Sequence, residues 1–500
     1  MNEPIITAQA RKRERTIAYA LLGALAYFPL FMNLDVLPLR MWDESRQAVS
    51  AYEMLHNGNW LVNHYNGTPD MWSTKPPLLV WLQALGFAVL GPGELALRLP
   101  SAIAGLLICF LLVRITDKQL GSPWLGFFAG LVVLTSRGFI DMHVARSGDY
   151  DALLTLLMFW AAINAFRYSL NGSRVAVLSL FAALALGVLT KSVQALMMVP
   201  GILIWWIISK RLVLALKDRW FWIGISGFLL IVAAFYLGRE ALNPGYLQAV
   251  WDNEVGGRYG SSLEGHTANG LFYLANLAHH HFDHWYVWAL AGCVIGLASK
   301  DAMLRKVTGF AALLAVQYLV VISNSGTKTG WYDAPLFPFL GILAAIPMYM
   351  LFAWCRASAW INERLLVNVL PWTLVACLFF GPYLQRVEAS HIPQEEEWDV
   401  DRYALPKYLQ FGAKGKRPID ATAICWEDYD AHVLFYTYLL NEQGNPIRRV
   451  DKGELLPGMT ALASEWQVKE YIEQHYTFVV TEEEPHLKVY AIQGVKHGQP

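Results

Sequence analysis

Long runs of apolar residues, separated by polar segments, make up most of the first 384 residues of this 500-residue chain. A helix needs about 20 mainly apolar residues to cross a bilayer. About eleven runs approach that length, and they predict an α-helical, polytopic membrane protein. The predicted spans are 16–38, 98–116, 122–140, 152–170, 175–190, 193–209, 220–238, 284–299, 307–323, 331–353 and 365–384.

The apolar run at 76–90 is shorter and begins with two prolines. Cytoplasmic loops of membrane proteins carry an excess of Lys and Arg. If 76–90 does not cross, the basic clusters between the later spans fall on the same side as the basic N-terminus. The charge pattern therefore predicts that 76–90 is a juxtamembrane helix on the outer surface and that the C-terminus lies outside.

This topology brings most of the long polar segments to the outer face. They are 39–75, 141–151, 239–283 and 324–333. The loops on the inner face are short, so the one-sided distribution indicates a functional site on the outer face. The alternative is that these loops are merely variable in length and that their length has no functional meaning.

The pattern changes near residue 385, where the chain becomes polar. Alternation of apolar and polar residues at 476–480 and 487–492 predicts strands, and 464–475 has the pattern of an amphipathic helix. We therefore expect two domains. The first is a membrane domain at 1–384, with its first outer loop at 39–97, and the second is a small outer α/β domain at 385–500.

The amino-acid composition also bears on the class of protein. Charged residues make up 16% of the chain, against about 25% in soluble proteins. The net charge of −1 gives no indication of nucleic-acid binding. The 5 cysteines suggest neither a disulfide framework nor a zinc site. The basic N-terminus leads into an apolar run too long for a signal peptide, which favours a retained first span.

The first outer loop holds the strongest candidates for chemistry. Asp43 and Glu44 directly follow the first span. A carboxylate there could take the proton of an acceptor hydroxyl, although Asp is also a common helix N-cap. Lys75 precedes two prolines, which keep the backbone extended. It could bind a lipid phosphate, or simply reach from a helix end to the interface.

Further candidates for binding the donor phosphate or the substrate are Arg46 in the first outer loop and, later in the chain, Arg146, Asp149, Lys191, Arg258, His266, Lys328 and Tyr332. Asp151 is a further candidate catalytic acid. The Asp-Tyr-Asp motif at 149–151 and the His-rich stretch at 279–285 allow a metal-binding interpretation. A helix N-cap and a polar interface segment are the favoured alternatives, so no metal site is predicted.

In their order along the chain, several motifs resemble one family. The first is Asp-Glu-x-Arg at 43–46, followed by EMLHNGNW, KPPLLVWLQALGFAVLG and RLPSAIAGLL. Later ones are ARSGDYDALLTL, LTKS, NEVGGR and TKTGWYDAPLFP. The ordered set is similar to the GT-C glycosyltransferase superfamily, in the branch of the aminoarabinose transferases of lipid A and the protein O-mannosyltransferases.

The resemblance implies a GT-C fold and inverting transfer of a pentose or hexose from a polyprenyl-phosphate donor. The acceptor would be a lipid, a glycan or a protein, at the periplasmic face of the inner membrane. It further implies that Asp43 is the catalytic carboxylate and that Lys75 and Arg258 bind the donor phosphate. Asp151 matches the family's acid at the start of the span after the second outer loop, and Glu44 is kept as a catalytic candidate because it adjoins Asp43. No cofactor and no nucleic-acid partner are expected.

One departure and two alternative functions remain open. Gln47 stands where an aromatic residue is common in the family. A lipid-linked glycan ligase is the alternative within enzymes, and a secondary transporter is the alternative from another class. Transporters often place charges near the bilayer midplane and contain inverted repeats, whereas the acidic residues of this chain cluster at one face.

Overall fold

The computed structural model describes residues 8–141, 143–257, 268–357, 364–394, 400–427 and 429–496. The helices of the membrane region are α1 (Ala8–Phe31), α2 (Asp43–Asn57), α3 (Leu78–Leu90), α4 (Glu94–Leu120), α5 (Pro123–Thr135), α6 (Arg137–Ile140), α7 (Asp151–Asn171), α8 (Arg174–Lys191), α9 (Val199–Ile208), α10 (Leu212–Leu216), α11 (Arg219–Leu242), α12 (Tyr246–Val250), α13 (Phe272–Asn276), α14 (Tyr286–Ala298), α15 (Ala302–Ser323), α16 (Phe337–Ala357) and α17 (Arg364–His391). Short 3-10 segments are Ser192–Leu196 and Gly330–Leu336, and π-helical segments are Trp251–Gly257 and Leu277–His281.

Six helical segments in the described part of the chain are long and apolar enough to cross a membrane. They are Glu94–Leu120, Asp151–Asn171, Arg174–Leu196, Arg219–Leu242, Ala302–Ser323 and Gly330–Arg356. Shorter apolar helices accompany them, and each predicted span overlaps one of the helices α1, α4, α5, α7, α8, α9, α11, α14, α15, α16 and α17. The prediction of a polytopic, α-helical membrane protein is confirmed.

The helix boundaries follow from local chemistry. Asp301 accepts hydrogen bonds from the first amides of α15, as an N-cap does. Gly121 ends α4 in a left-handed conformation, which glycine adopts without steric cost. Inside the bundle, α4 packs on α5 and α7 packs on α8, while α16 lies between α5 and α14. These helices share one continuous apolar core.

The segment predicted to lie on the surface forms α3, a helix of 13 residues. At 1.5 Å per residue it is about 20 Å long, shorter than the roughly 30 Å hydrocarbon core of a bilayer. One side of α3 packs against α2 and α4. Leu85 and Val89 on its other side are exposed.

The C-terminal part combines helices with a small sheet. Its helices are α18 (Val400–Ala413), α19 (Ala431–Glu442) and α20 (Trp466–His475). A short hairpin of β1 (His64–Tyr65) and β2 (Thr68–Pro69) precedes them in the first outer loop, and the C-terminal strands are β3 (Ala423–Cys425), β4 (Arg448–Arg449), β5 (Thr460–Ala463), β6 (Tyr476–Glu484) and β7 (Leu487–Val495). The sheet order is β4-β3-β5-β7-β6, with β3 parallel to both neighbours and the other pairs antiparallel.

The C-terminal part packs directly on the first outer loop. Helix α19 contacts α2, and residues of α2, α3, α18 and α19 share one apolar cluster. Tyr52 of α2 lies in that cluster with Phe435 of α19. The strands predicted near 476–480 and 487–492 and the helix predicted at 464–475 are confirmed. Helix α17 continues to His391, beyond the domain boundary predicted at residue 384.

Candidate active site

Helix α2 starts at Asp43, in the segment that follows the first helix of the bundle. The side chain of Asp43 is 37% exposed, and one of its carboxylate oxygens lies 3.9 Å from the ammonium nitrogen of Lys75. Lys75 is buried, and its nitrogen lies 5.5 Å from the centre of the Tyr150 ring. The structure therefore brings together a partly exposed carboxylate and a desolvated cation that the sequence predicted for one site.

Glu44 has a different environment although it is the next residue. It is fully buried, and the Arg98 guanidinium donates to both of its oxygens, at 2.7 and 2.9 Å. The backbone amides of Arg40 and Gly148 donate to the same carboxylate. Burial raises the pKa of Glu44, but Arg98 and these amides outweigh it and hold the pKa below its usual value. Four donors already occupy the Glu44 carboxylate, so the geometry argues against the catalytic role predicted for Glu44, which stays a prediction.

Arg46 was predicted to bind substrate, but it is committed to another carboxylate. Its guanidinium forms a two-pronged ion pair with the buried Asp70, at 2.6 and 2.7 Å. It also lies 4.3 Å from the centre of the Tyr65 ring. This bidentate geometry fixes the hairpin region against α2. The geometry favours a role for Arg46 in holding the loop, and substrate binding by Arg46 stays a prediction.

The second outer segment supplies a buried ion pair. The ammonium group of Lys191 lies 2.7 and 2.8 Å from the two oxygens of Asp151. Both side chains are buried, and the Lys191 nitrogen lies 5.1 Å from the centre of the Tyr332 ring. Three predicted site residues thus meet. Because Lys191 occupies both oxygens of Asp151, the geometry argues against the direct catalytic role predicted for Asp151.

Asp149 pairs with a histidine at the same end of the bundle. The distance between an Asp149 oxygen and Nδ1 of His143 is 3.1 Å, and the imidazole stacks on Trp331 with ring centres 3.7 Å apart. Burial lowers the pKa of His143, but the neighbouring carboxylates of Asp149 and Asp43 outweigh it and raise the pKa above its ordinary value. His143 also has a positive φ of 67°, a backbone conformation that is uncommon for residues other than Gly, although His adopts it more often than most.

A large cavity is lined in part by Trp331. Its volume is about 1040 Å³. Arginine dominates its charged lining, which comprises Arg40, Arg98, Arg137, Arg146, Arg386, His280, His281 and Asp141. Arg146 donates to two carbonyl groups at the end of α1, and burial together with Arg98 lowers the pKa of Arg146 to about 10. The cavity therefore suits a ligand with negative charge.

The remaining predicted site residues are Lys328, Arg258 and His266. Lys328 donates to the carbonyl of Ser325 in its own loop, at 2.7 Å. Arg258 and His266 lie outside the described residues. In the His-rich stretch, His281 pairs with the buried Asp333 at 2.8 Å. In the described part of the chain, no three His, Cys, Asp or Glu side chains form a group that could hold a metal ion.

Several partners of these residues were not predicted. Arg98 neutralises Glu44, and Asp70 fixes Arg46. The hydroxyl of Tyr246 donates to the carbonyl of Thr74, next to Lys75, at 2.6 Å. The sequence does contain an indication that Arg98 is important, because a charge at the start of an apolar span is a functional candidate. For the other contacts the sequence offers no comparable pattern.

The fold is that of the GT-C membrane glycosyltransferases. The structure of ArnT from Cupriavidus metallidurans bound to undecaprenyl phosphate aligns with a TM-score of 0.71 and 18% identity, covering 94% of this chain and 97% of that chain. The oligosaccharyltransferase of Archaeoglobus fulgidus aligns with a TM-score of 0.52 and 12% identity, covering 94% of this chain and 70% of that chain. The predicted fold class is confirmed.

Sequence comparisons show which proteins the chain is similar to. Residues 74–237 match the model of the family described as dolichyl-phosphate-mannose-protein mannosyltransferase. An undecaprenyl phosphate-alpha-4-amino-4-deoxy-L-arabinose arabinosyl transferase of Pseudomonas savastanoi pv. phaseolicola is 35% identical over 148 residues, 27% of this chain and 26% of that protein. A protein of the same name in Shewanella sediminis is 26% identical over 326 residues, 57% of each chain.

The alignments with the first curated relatives span 26%, 34% and 57% of those proteins' lengths. The resemblance to the aminoarabinose transferase and protein mannosyltransferase branch is confirmed.

Proposed function

We propose that this protein is an inverting glycosyltransferase that moves a pentose or hexose from a polyprenyl-phosphate donor to an acceptor at the outer face of the membrane. The observation that carries the proposal is the pair formed by Asp43 and Lys75, with 3.9 Å between carboxylate oxygen and ammonium nitrogen. The names of the relatives favour this hypothesis over a transporter. A solved GT-C structure with bound undecaprenyl phosphate supports the choice of donor.

In the proposed reaction, a hydroxyl oxygen of the acceptor attacks the anomeric carbon of the donor sugar. The bond between that carbon and the phosphate oxygen breaks, and its electron pair leaves with the lipid phosphate. Asp43 takes the proton of the attacking hydroxyl. Lys75 stabilises the charge that grows on the departing phosphate. Attack opposite to the leaving group inverts the anomeric centre.

The environment of each residue suits its role. Asp43 is partly exposed, so an acceptor can reach it, whereas Lys75 is buried. A buried cation interacts more strongly with a phosphate than an exposed one, because water screens it less. Arg258 is a further proposed phosphate ligand, on family resemblance alone. The donor's lipid chain would lie in the bilayer while its sugar lies beside α2.

The cavity rich in arginine adds a proposal about the acceptor. Trp331 lines that cavity and stacks on His143, and His143 lies within the electrostatic influence of Asp43. The acceptor would therefore enter from this side, with an anionic group close to Arg40 and Arg146. Whether it is a lipid, a glycan or a protein is left to experiment.

The protein is a multi-pass membrane protein, and we propose that the site faces the periplasm from the inner membrane. The support is the distribution of Lys and Arg, which places the long polar segments on the side opposite to the basic N-terminus. Cysteines introduced at Trp60, on the first outer loop, and at Lys300, on a predicted inner loop, should then label from opposite sides of the membrane.

The activity is tested by comparing envelope lipids, glycans and glycoproteins of cells with and without the gene by mass spectrometry. A species that loses the mass of one sugar would identify both sugar and acceptor. With that acceptor, purified Asp43→Ala and Asp43→Asn should form no product while folding normally. Asp283→Asn, a change at a partly exposed outer carboxylate, is the control. Near-normal transfer by Asp43→Asn would rule out the assignment of Asp43 as base.

A further inference from the structure

The peptide that leads into Asp43 is held by tyrosines of the C-terminal part. The hydroxyl of Tyr436 accepts a hydrogen bond from the amide of Leu39 at 2.9 Å. The hydroxyl of Tyr403 accepts one from the amide of Met41, also at 2.9 Å. Both tyrosines are buried. Side chains more than 360 residues away along the chain therefore fix the backbone just before the proposed base.

A third tyrosine holds the residue next to Asp43. The ring of Tyr429 is parallel to that of Trp42, with centres 4.8 Å apart and 8° between the planes. The Tyr429 hydroxyl also accepts a hydrogen bond of 3.4 Å from Arg46, one turn into α2. The same side chain thus contacts α2 on both sides of Asp43.

The backbone at Trp42 shows why such support is needed. Its φ is 73° and its ψ is −122°, a conformation that a residue with a Cβ adopts rarely. Strained residues persist only where surrounding contacts over-determine them, and they cluster at functional sites. Trp42 has an exposed ring, so burial of its own side chain does not explain the strain. The contacts with Tyr403, Tyr429 and Tyr436 help to hold this conformation, together with the hydrogen bond from the Arg40 amide to Glu44.

We propose that the C-terminal part positions the catalytic base, and that Tyr403, Tyr429 and Tyr436 are the positioning residues. They hold residues 39–42 in the strained conformation that starts α2 at Asp43 and directs its carboxylate towards Lys75. This inference rests on the proposed role of Asp43. It assigns to the C-terminal part a function in the chemical step, beyond any contact with substrate.

Tyr403→Phe is the main test, because it removes one hydroxyl and keeps the ring. The matched control is Tyr438→Phe, which removes a hydroxyl that donates to Glu53 near the far end of α2. With full-length protein in liposomes, Tyr403→Phe should lower kcat about tenfold and leave the donor KM within twofold. Tyr438→Phe should change neither by more than twofold. A merely structural role would lower the folded fraction and not the kcat of folded molecules.

A second pair of variants keeps the inference testable if Tyr403→Phe folds poorly. Tyr429→Leu removes the ring that stacks on Trp42, and Tyr429→Phe keeps it, so kcat should fall further in Tyr429→Leu. Equal kcat values in these two variants, or equal losses in Tyr403→Phe and Tyr438→Phe, would overturn the inference.

Asp43→Asn is measured in parallel, to separate a failure of the positioning role from a failure of the base assignment. If it retains transfer, the base assignment fails; if it is inactive while Tyr403→Phe turns over normally, only the positioning role fails.

Discussion

The ammonium nitrogen of Lys75 lies 3.9 Å from a carboxylate oxygen of Asp43. A distance of that size is loose for an ion pair, and Lys75 is buried while Asp43 is partly exposed. Lys75 can therefore turn to an incoming phosphate without leaving a buried carboxylate unpaired. In the proposed reaction the pair thus places a proton acceptor and a phosphate ligand side by side.

Replacing Lys75 by Gln should lower kcat/KM about 100-fold, because one group that stabilises transition-state charge contributes about 3 kcal/mol. Lys75→Arg should recover part of the loss, since it keeps the charge but not the geometry of an ammonium group. Steady-state kinetics with a polyprenyl-phosphate sugar would measure both. Lys496→Gln, at an exposed lysine of the C-terminal part, is the control. Unchanged kcat/KM in Lys75→Gln would contradict the phosphate role.

Tyr246→Phe should raise the donor KM about tenfold. The Tyr246 hydroxyl donates to the carbonyl of Thr74, directly before Lys75, and a buried carbonyl that loses its donor costs about 1–3 kcal/mol. The loop would then hold Lys75 less firmly. Tyr236→Phe is a matched control, because the Tyr236 hydroxyl bonds to Ser192 instead.

A double-mutant cycle checks this explanation. If Tyr246 acts through Lys75, then Tyr246→Phe should have no further effect on the donor KM in the Lys75→Gln background. Independent, additive losses from the two substitutions would contradict the coupling. Thermal unfolding of each purified variant separates a loss of folded protein from a change in binding.

Arg98→Met should destabilise the protein by about 3–5 kcal/mol, because it leaves the buried carboxylate of Glu44 without its counter-charge. The double variant Glu44→Gln/Arg98→Met should lose less stability than Arg98→Met alone. Thermal unfolding of the purified protein in detergent measures both.

The same ion pair gives a prediction about activity. Glu44→Gln molecules that remain folded should still transfer sugar. Complete loss of turnover in well-folded Glu44→Gln would restore a catalytic role for this residue.

The pH dependence of stability should contain a contribution from His432. This residue is fully buried, and burial lowers the pKa of His432 to about 3. In the unfolded chain the pKa of a histidine is about 6.5, so below that pH the unfolded state binds a proton that the folded state does not. Stability should therefore fall as the pH falls from 6.5 towards 3, by about 2 kcal/mol at pH 5.

Thermal unfolding of the full-length protein at pH 7 and pH 5 would test this. His432→Phe should lose less stability between the two pH values than the wild type. His475→Gln, at an exposed histidine of the same part, should retain the wild-type pH dependence. An identical pH dependence in His432→Phe and the wild type would show that this imidazole does not contribute.

Two pairs of neighbouring acidic residues, Asp43 with Glu44 and Asp149 with Asp151, show what a sequence pattern does not predict. Asp43 and Glu44 are adjacent carboxylates with similar local sequence, yet one is partly exposed and the other is sealed against Arg98. Successive helical residues point about 100° apart, so they meet different parts of the protein. Asp149 and Asp151 likewise diverge, towards His143 and Lys191. No local pattern distinguishes the members of such a pair.

The sequence by itself determined the polytopic helical fold, because a bilayer imposes long apolar runs and one-sided charge that are visible without coordinates. It also predicted the first outer loop as the place of the site, through the ordered motifs from Asp43 to Arg98. Only the tertiary structure decided which carboxylate is accessible and which is paired. It alone placed Tyr403 and Tyr436 against the peptide before Asp43. The reason is physical: burial and ion pairing depend on partners that are distant in the chain, and those partners meet only when the chain is folded.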